Sequence, residues 1–76
     1  MLVYIVESGN RYEGSEIEDI FLDRQCAIKY AERLVSQSRF EYKLEEYVDN
    51  MAWEEIVHGN EYIMMYPYEV NEIRYE

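Results

Sequence analysis

Seventy-six residues, a single cysteine and a net charge of −10 argue against a disulfide-stapled secreted scaffold and against direct contact with phosphate backbones or anionic lipid. A chain this short forms one domain, residues 1–76, and buries roughly 60% of the surface its unfolded form exposes, so its core is one thin layer. Nine tyrosines, Trp53, Phe21 and Phe40 give each buried position a large contact area, enough for folding without a metal or a disulfide.

Met1–Asn10 has no basic leader, and its apolar run breaks at Glu7. Neither a signal peptide nor a membrane span is expected, and a reducing cytoplasm is the compartment predicted. Within that stretch Leu2-Val3-Tyr4-Ile5-Val6 is β-branched and aromatic without interruption, which predicts a central strand covered on both faces. Turn residues at Ser8-Gly9-Asn10 and Glu13-Gly14-Ser15 precede a second apolar run, Ile17 to Leu22, expected to pair antiparallel with the first. Arg11 and Tyr12 sit at the tip of the intervening loop.

Asp23 suits a helix N-cap, because its carboxylate can accept from the free N–H groups of a first turn. From Arg24 to about Gln37, Ala27, Tyr30, Ala31, Leu34 and Val35 fall on one stripe at spacings of three and four, so one helical face docks on the sheet. Phe40, Tyr42 and Leu44 then begin a period of two. The same residues with Tyr47, Val48 and Met51 also fit a helical spacing, but tyrosine and phenylalanine favour a pleated surface. In this strand the adjacent Glu45-Glu46 breaks the alternation and predicts a bulge that shifts the inward register from Leu44 to Tyr47. Ile56 to Ile63 reads as a hairpin turning at Gly59-Asn60, with a short helix from Met51 to His58 as the rival. Tyr62 to Tyr66 is the last strongly apolar run; Pro67 makes it an edge strand or ends it. Beyond it, Tyr68, Val70, Ile73 and Tyr75 loosely continue the pattern. The sum is α+β: an antiparallel sheet of four to five strands with one helix packed on one face.

Motifs that would name a reaction are missing. Glu55-Ile56-Val57-His58 has the spacing of a helical metal-ligand pair, but a dimetal site needs two such motifs, so His58 reads as a solvated turn residue. Glu16, Glu18 and Asp19 lack the calcium-loop pattern and read as a charged strand face. The loop from Gly9 to Gly14 has no phosphate-binding lysine. Cys26, on the flank of the helix, has no base in view and reads as a packed or half-exposed small apolar residue. No catalytic residue, metal or cofactor is assigned, and an enzyme is not expected.

Charge is distributed unevenly. Residues 1–23 carry six acids and one base, residues 24–43 two acids and five bases, and residues 44–76 nine acids and one base. The sums are −5, +3 and −8. Nine tyrosines with this acidity exceed what a small core or solubility requires, and a fixed array of carboxylates beside tyrosine anchors suits a protein partner with a basic surface. The candidate partner-binding residues are Glu41, Tyr42, Glu45, Glu46, Tyr47, Asp49, Glu54 and Glu55.

In size, acidity and order of elements, carried by Val3-Tyr4-Ile5-Val6, Ile20-Phe21-Leu22-Asp23, Ala27 to Leu34 and Tyr42 to Tyr47, the chain resembles small acidic accessory proteins encoded by bacteriophages. That family type includes anti-CRISPR and other anti-defence inhibitors, some of them DNA mimics. The resemblance implies a non-enzymatic inhibitor or adaptor, acting in the host cytoplasm, that binds a basic, nucleic-acid-handling host protein without itself contacting nucleic acid or membrane. Two alternatives stand beside it. The basic helical segment, with Arg24, Lys29, Arg33 and Arg39, would sequester an anionic ligand such as a nucleotide; or the chain would self-associate as a homodimer through a Tyr62–Tyr66 edge.

Overall fold

A computed structural model of the protein describes residues 1–71. It contains β1 (Leu2–Asn10), β2 (Gly14–Phe21), α1 (Arg24–Gln37), β3 (Tyr42–Glu46), β4 (Met51–Glu55) and β5 (Glu61–Glu69). All strand pairs are antiparallel, in the order β2-β1-β5-β4-β3, and α1 lies across one face. The α+β architecture expected from the sequence is therefore present, with five strands in an open sheet.

The helix forms where its cap and stripe place it. Asp23 is extended, and its carboxylate accepts from the Gln25 N–H. At the other end the Ser38 N–H donates to the carbonyls of Leu34 and Val35, and the Ser38 hydroxyl accepts from the Phe40 N–H, which turns the chain toward β3. Ala27 and Ala31 are fully buried. Having almost no side chain, they let the helix backbone approach the sheet, while Ile28, Tyr30, Leu34 and Val35 pack beside them. Beneath lie Val6, Met51, Trp53, Ile63 and Met65, with Tyr4, Phe21 and Tyr42 at the margins. The Phe21 and Tyr30 rings meet at 5.4 Å in a tilted arrangement, which ties β2 to the helix.

Several local expectations change. The first two strands run longer than their apolar cores, because pairing continues through Ser8, Gly9 and Asn10 to Gly14. Gly14 closes that hairpin with φ +99°, a conformation costly for a residue with a Cβ. No bulge occurs at Glu45-Glu46: Tyr42 to Glu46 pair in unbroken register with Glu55 to Met51, so Glu45 and Glu46 point to opposite faces. The rival helix at Met51 is absent. That segment is β4, followed by a turn over 56–60 in which Gly59 has φ +69°. β5 is not an edge over Tyr62–Met65 but lies between β1 and β4, which removes the edge on which self-association was expected. Its pairing with β4 stops at Met65, so Pro67 sits where one side of the strand is vacant and a missing N–H is tolerated. The Ile73 and Tyr75 continuation falls outside the described residues.

A bulge does occur on β2. Val6 pairs with Asp19 but Glu7 pairs with Ile17, leaving Glu18 as the extra residue. In a regular strand Ile17 and Ile20, three apart, would face opposite ways. Here the bulge puts both on the face away from the helix, with Ile5 and Glu7, while Glu16 and Glu18 lie on the helix face, where the Ser8 hydroxyl donates to Glu18.

β1 reads from sequence as a strand covered on both sides, and only one side has a cover. Val6 is closed by the helix, yet among the described residues no element lies over the opposite face. Val3 and Ile5 are buried there by the flanking side chains of the same sheet: Ile20 from β2, and Tyr66 and Tyr68 from β5.

Candidate functional site: an acid-lined groove beyond the helix

The β1–β2 hairpin outruns the helix. Past Leu34 the helix face of the sheet is left open, and the segment from Ser38 to Tyr42 forms the facing wall. The result is a groove of about 520 Å³. Its apolar floor and wall come from Leu34, Phe40, Tyr42 and Ile63, and its other side carries Glu13, Glu16, Glu18 and Glu61.

Two of the carboxylates are placed by cross-strand pairing, Glu18 by the bulge and Glu13 by the hairpin turn. Glu16 lies opposite Ser8 on the β1–β2 ladder, and Glu61 lies opposite Asn10 on the β1–β5 ladder. The Asn10 amide donates to Glu61 at 2.8 Å, while the Asn10 Oδ1 accepts from the Tyr12 and Glu13 N–H groups. One side chain thus closes the hairpin tip and fixes two of the acids. Gly9 allows the narrow neck: a Cβ there would stand 2.6 Å from the Ser15 Cβ and 2.7 Å from the Gly14 carbonyl oxygen.

No cation among the described residues pairs with these groups. Among the described residues the ion pairs are the N-terminus with Glu69, Arg11 with Glu54 and Lys43 with Glu45. None involves a groove acid. Four carboxylates at one end of a small domain set up a local negative potential over an aromatic and aliphatic surface. A lysine or arginine satisfies such a surface, because its stem lies on apolar atoms while its head reaches the acids. No group of three or more metal-ligating side chains converges among the described residues.

The residues nominated from sequence are dispersed by the fold. Tyr42 is half-buried on the helix side, its hydroxyl 3.2 Å from the Ser38 hydroxyl, and it alone of the eight lines the groove. Glu55 is 5% exposed, and its carboxylate accepts from the Glu61 N–H; it holds the β4–β5 turn and presents nothing to a partner. Glu45 and Glu54 lie on the opposite face, committed to Lys43 at 3.3 Å and Arg11 at 3.0 Å. Glu41 is exposed just before β3, where its carbonyl accepts from Ile56. Glu46, Tyr47 and Asp49 are exposed together at the β3–β4 turn, which the Tyr47 N–H closes onto the Asn50 carbonyl. The predicted set is thus divided among three directions, with Glu46, Tyr47 and Asp49 its largest coherent remnant.

Other sequence candidates find plain structural roles. His58 is exposed in the β4–β5 turn. Cys26 is exposed on the first turn of the helix, its thiol 3.3 Å from the Asp23 carboxylate; that contact holds the Asp23 carboxyl below its usual range and pushes the Cys26 thiol up. A thiol so raised is a weaker nucleophile at neutral pH. No described helix is long and apolar enough to cross a membrane.

Comparisons with known proteins return nothing: no family model, no curated protein and no solved structure matches the chain.

Proposed function

We propose that this protein is a non-enzymatic acidic inhibitor or adaptor whose groove receives a lysine- or arginine-bearing segment of a basic, nucleic-acid-handling host protein. One observation carries the reading: Glu13, Glu16, Glu18 and Glu61 border a groove floored by Leu34, Phe40, Tyr42 and Ile63, and none of the four has a cationic partner among the described residues. Tyr12, 84% exposed beside Glu13, supplies a rigid aromatic at the tip of the same hairpin, of the kind that anchors interfaces. The phage anti-defence role, with carboxylates standing in for DNA phosphates, is the biological setting this chemistry fits. An anionic ligand such as a nucleotide does not suit this groove, since it is lined with carboxylates; that alternative rests on Arg24, Lys29, Arg33 and Arg39 of the helical segment and not on the groove.

Titration with a labelled peptide rich in lysine and arginine at low and high salt tests the reading directly, and affinity capture from a host lysate under the same two conditions identifies the partner. Exposed charge pairs are each worth roughly 0.2–1 kcal/mol and are screened by salt. Changing Glu13, Glu16, Glu18 and Glu61 to Gln should therefore weaken peptide binding roughly 10- to 100-fold. Glu46→Gln with Asp49→Asn at the β3–β4 turn should leave it nearly unchanged. Equal binding by the groove variant, or binding indifferent to salt, would remove the groove as the site.

A further inference from the structure

The face of the sheet turned away from the helix carries a second surface, different in kind from the groove. Register places Val3, Ile5 and Glu7 of β1 there, with Ile17 and Ile20 of β2, Tyr62, Met64, Tyr66 and Tyr68 of β5, and Ala52 and Glu54 of β4. Ile17, Ile20 and Tyr68 are each more than half exposed, although they flank the buried Val3 and Ile5. A contiguous apolar strip on a small acidic protein calls for a cover.

We infer that this strip is covered by a second copy of the same chain, so that two sheets pack face to face in a twofold homodimer. Charge decides the occupant. A protein of net charge −10 repels its own copy wherever its unpaired acids would meet, but two of the three acids on this face are paired with cations within it and the third, Glu7, is hydrogen-bonded to a tyrosine. Glu54 holds Arg11 at 3.0 Å, Glu45 holds Lys43 at 3.3 Å, and Glu7 accepts from the Tyr66 hydroxyl at 2.9 Å. The formal sum of Glu7, Arg11, Lys43, Glu45 and Glu54 is −1. The groove acids Glu16, Glu18 and Glu61 lie on the other face of the sheet, so two copies can approach through this one without bringing them together. A basic partner, by contrast, finds in the strip only one carboxylate without a cation, Glu7, against four in the groove.

Size is sufficient. β1 and β5 span nine residues each, roughly 30 Å, and the apolar part covers about four strands, roughly 15 Å across. Two such footprints, with side-chain relief, bury on the order of 1,000 Å² in total, the lower bound for a specific interface. Two sheets joined this way make a sandwich, the usual solution for an antiparallel sheet with apolar residues on both faces. The contact is through faces, so the free edges of β2 and β3 play no part in it, and it closes at two copies.

Sedimentation over a range of protein concentrations tests this. Twice the chain mass of 9.3 kDa is the expected limiting mass at tens of micromolar, and thermal midpoints should rise with concentration. Ile17→Lys with Ile20→Lys should raise the dimer dissociation constant by about 100-fold or more, because each substitution enters the interface twice. Both residues are already more than half exposed, so the monomer should retain its fold, read by far-ultraviolet circular dichroism. The groove variant described above should dimerise at least as well as the parent. A monomeric mass at every concentration overturns the inference, as does a dimer insensitive to the two lysines. Neither result bears on the groove, whose peptide binding is measured separately.

Discussion

The two faces of this sheet hold similar amounts of apolar side chain and meet different ends. On one, Val6, Ile63 and Met65 vanish under a helix that presents Ala27 and Ala31. On the other, Val3 and Ile5 are sealed only by their neighbours, and Ile17, Ile20 and Tyr68 remain in water. Hydrophobic patterning along a strand therefore says that a face will be covered without saying by what. Coverage by the same chain depends on which elements reach the face, and the one helix among the described residues lies on the other side.

Substitutions on the two faces should separate them, beginning with the largest effect. Met65→Ala removes a fully buried side chain from the closed face and should cost about 2–5 kcal/mol in urea denaturation, including the cavity it leaves. Ile20→Ala on the open face should cost under about 1 kcal/mol at high dilution, with a penalty that grows as protein concentration rises. Equal losses at every concentration would mean that the two faces are alike.

Ala31→Leu tests closeness rather than area. The helix stands near the sheet because positions 27 and 31 are small, so overfilling one should cost about 1–3 kcal/mol and lower the melting temperature. A neutral result would show slack between the layers.

Tyr66 reports on the open face through pH. Burial, with the Glu7 carboxylate beside it, pushes its hydroxyl up to about 12 from an ordinary 10.0. The folded state then holds a proton that the unfolded chain releases, so the stabilisation present below pH 10 is lost as pH rises from about 10 to about 12. Tyr66→Phe should flatten that part of the stability curve relative to the parent. A parallel pair of curves would show that the hydroxyl is not held.

The smallest effect is expected at the helix cap. Asp23 lies below its ordinary 3.8 because the Cys26 thiol and the Gln25 N–H donate to its carboxylate. Its contribution is present above that value and disappears as pH falls through the lower folded value. Asp23→Asn, which keeps an acceptor but does not titrate, should show a shallower loss of stability as pH falls below 3.8.

Much of this was legible in the chain. The helix runs from Arg24 to Gln37, as expected from its cap and its stripe of five apolar residues, because capping and amphipathic spacing are local properties. Four apolar runs become strands for the same reason, but the hairpin arm expected at Ile56–His58 falls in the turn and β4 is formed by Met51–Glu55 before it. Three things were decided only by tertiary structure. The strand order placed Tyr62–Met65 in the interior instead of at an edge, since a strand's neighbours are set by long-range pairing. The β2 bulge moved Ile17 and Ile20 onto one face, which an alternating pattern cannot announce. The groove joins Glu13, Glu16 and Glu18 to Glu61 across more than forty positions of sequence, through two ladders that meet on β1. The acidic stretch around Glu45 and Glu46 stood out in sequence because its charges are adjacent. In the fold, adjacency along a strand sends side chains to opposite faces, and it is pairing across strands that gathers them.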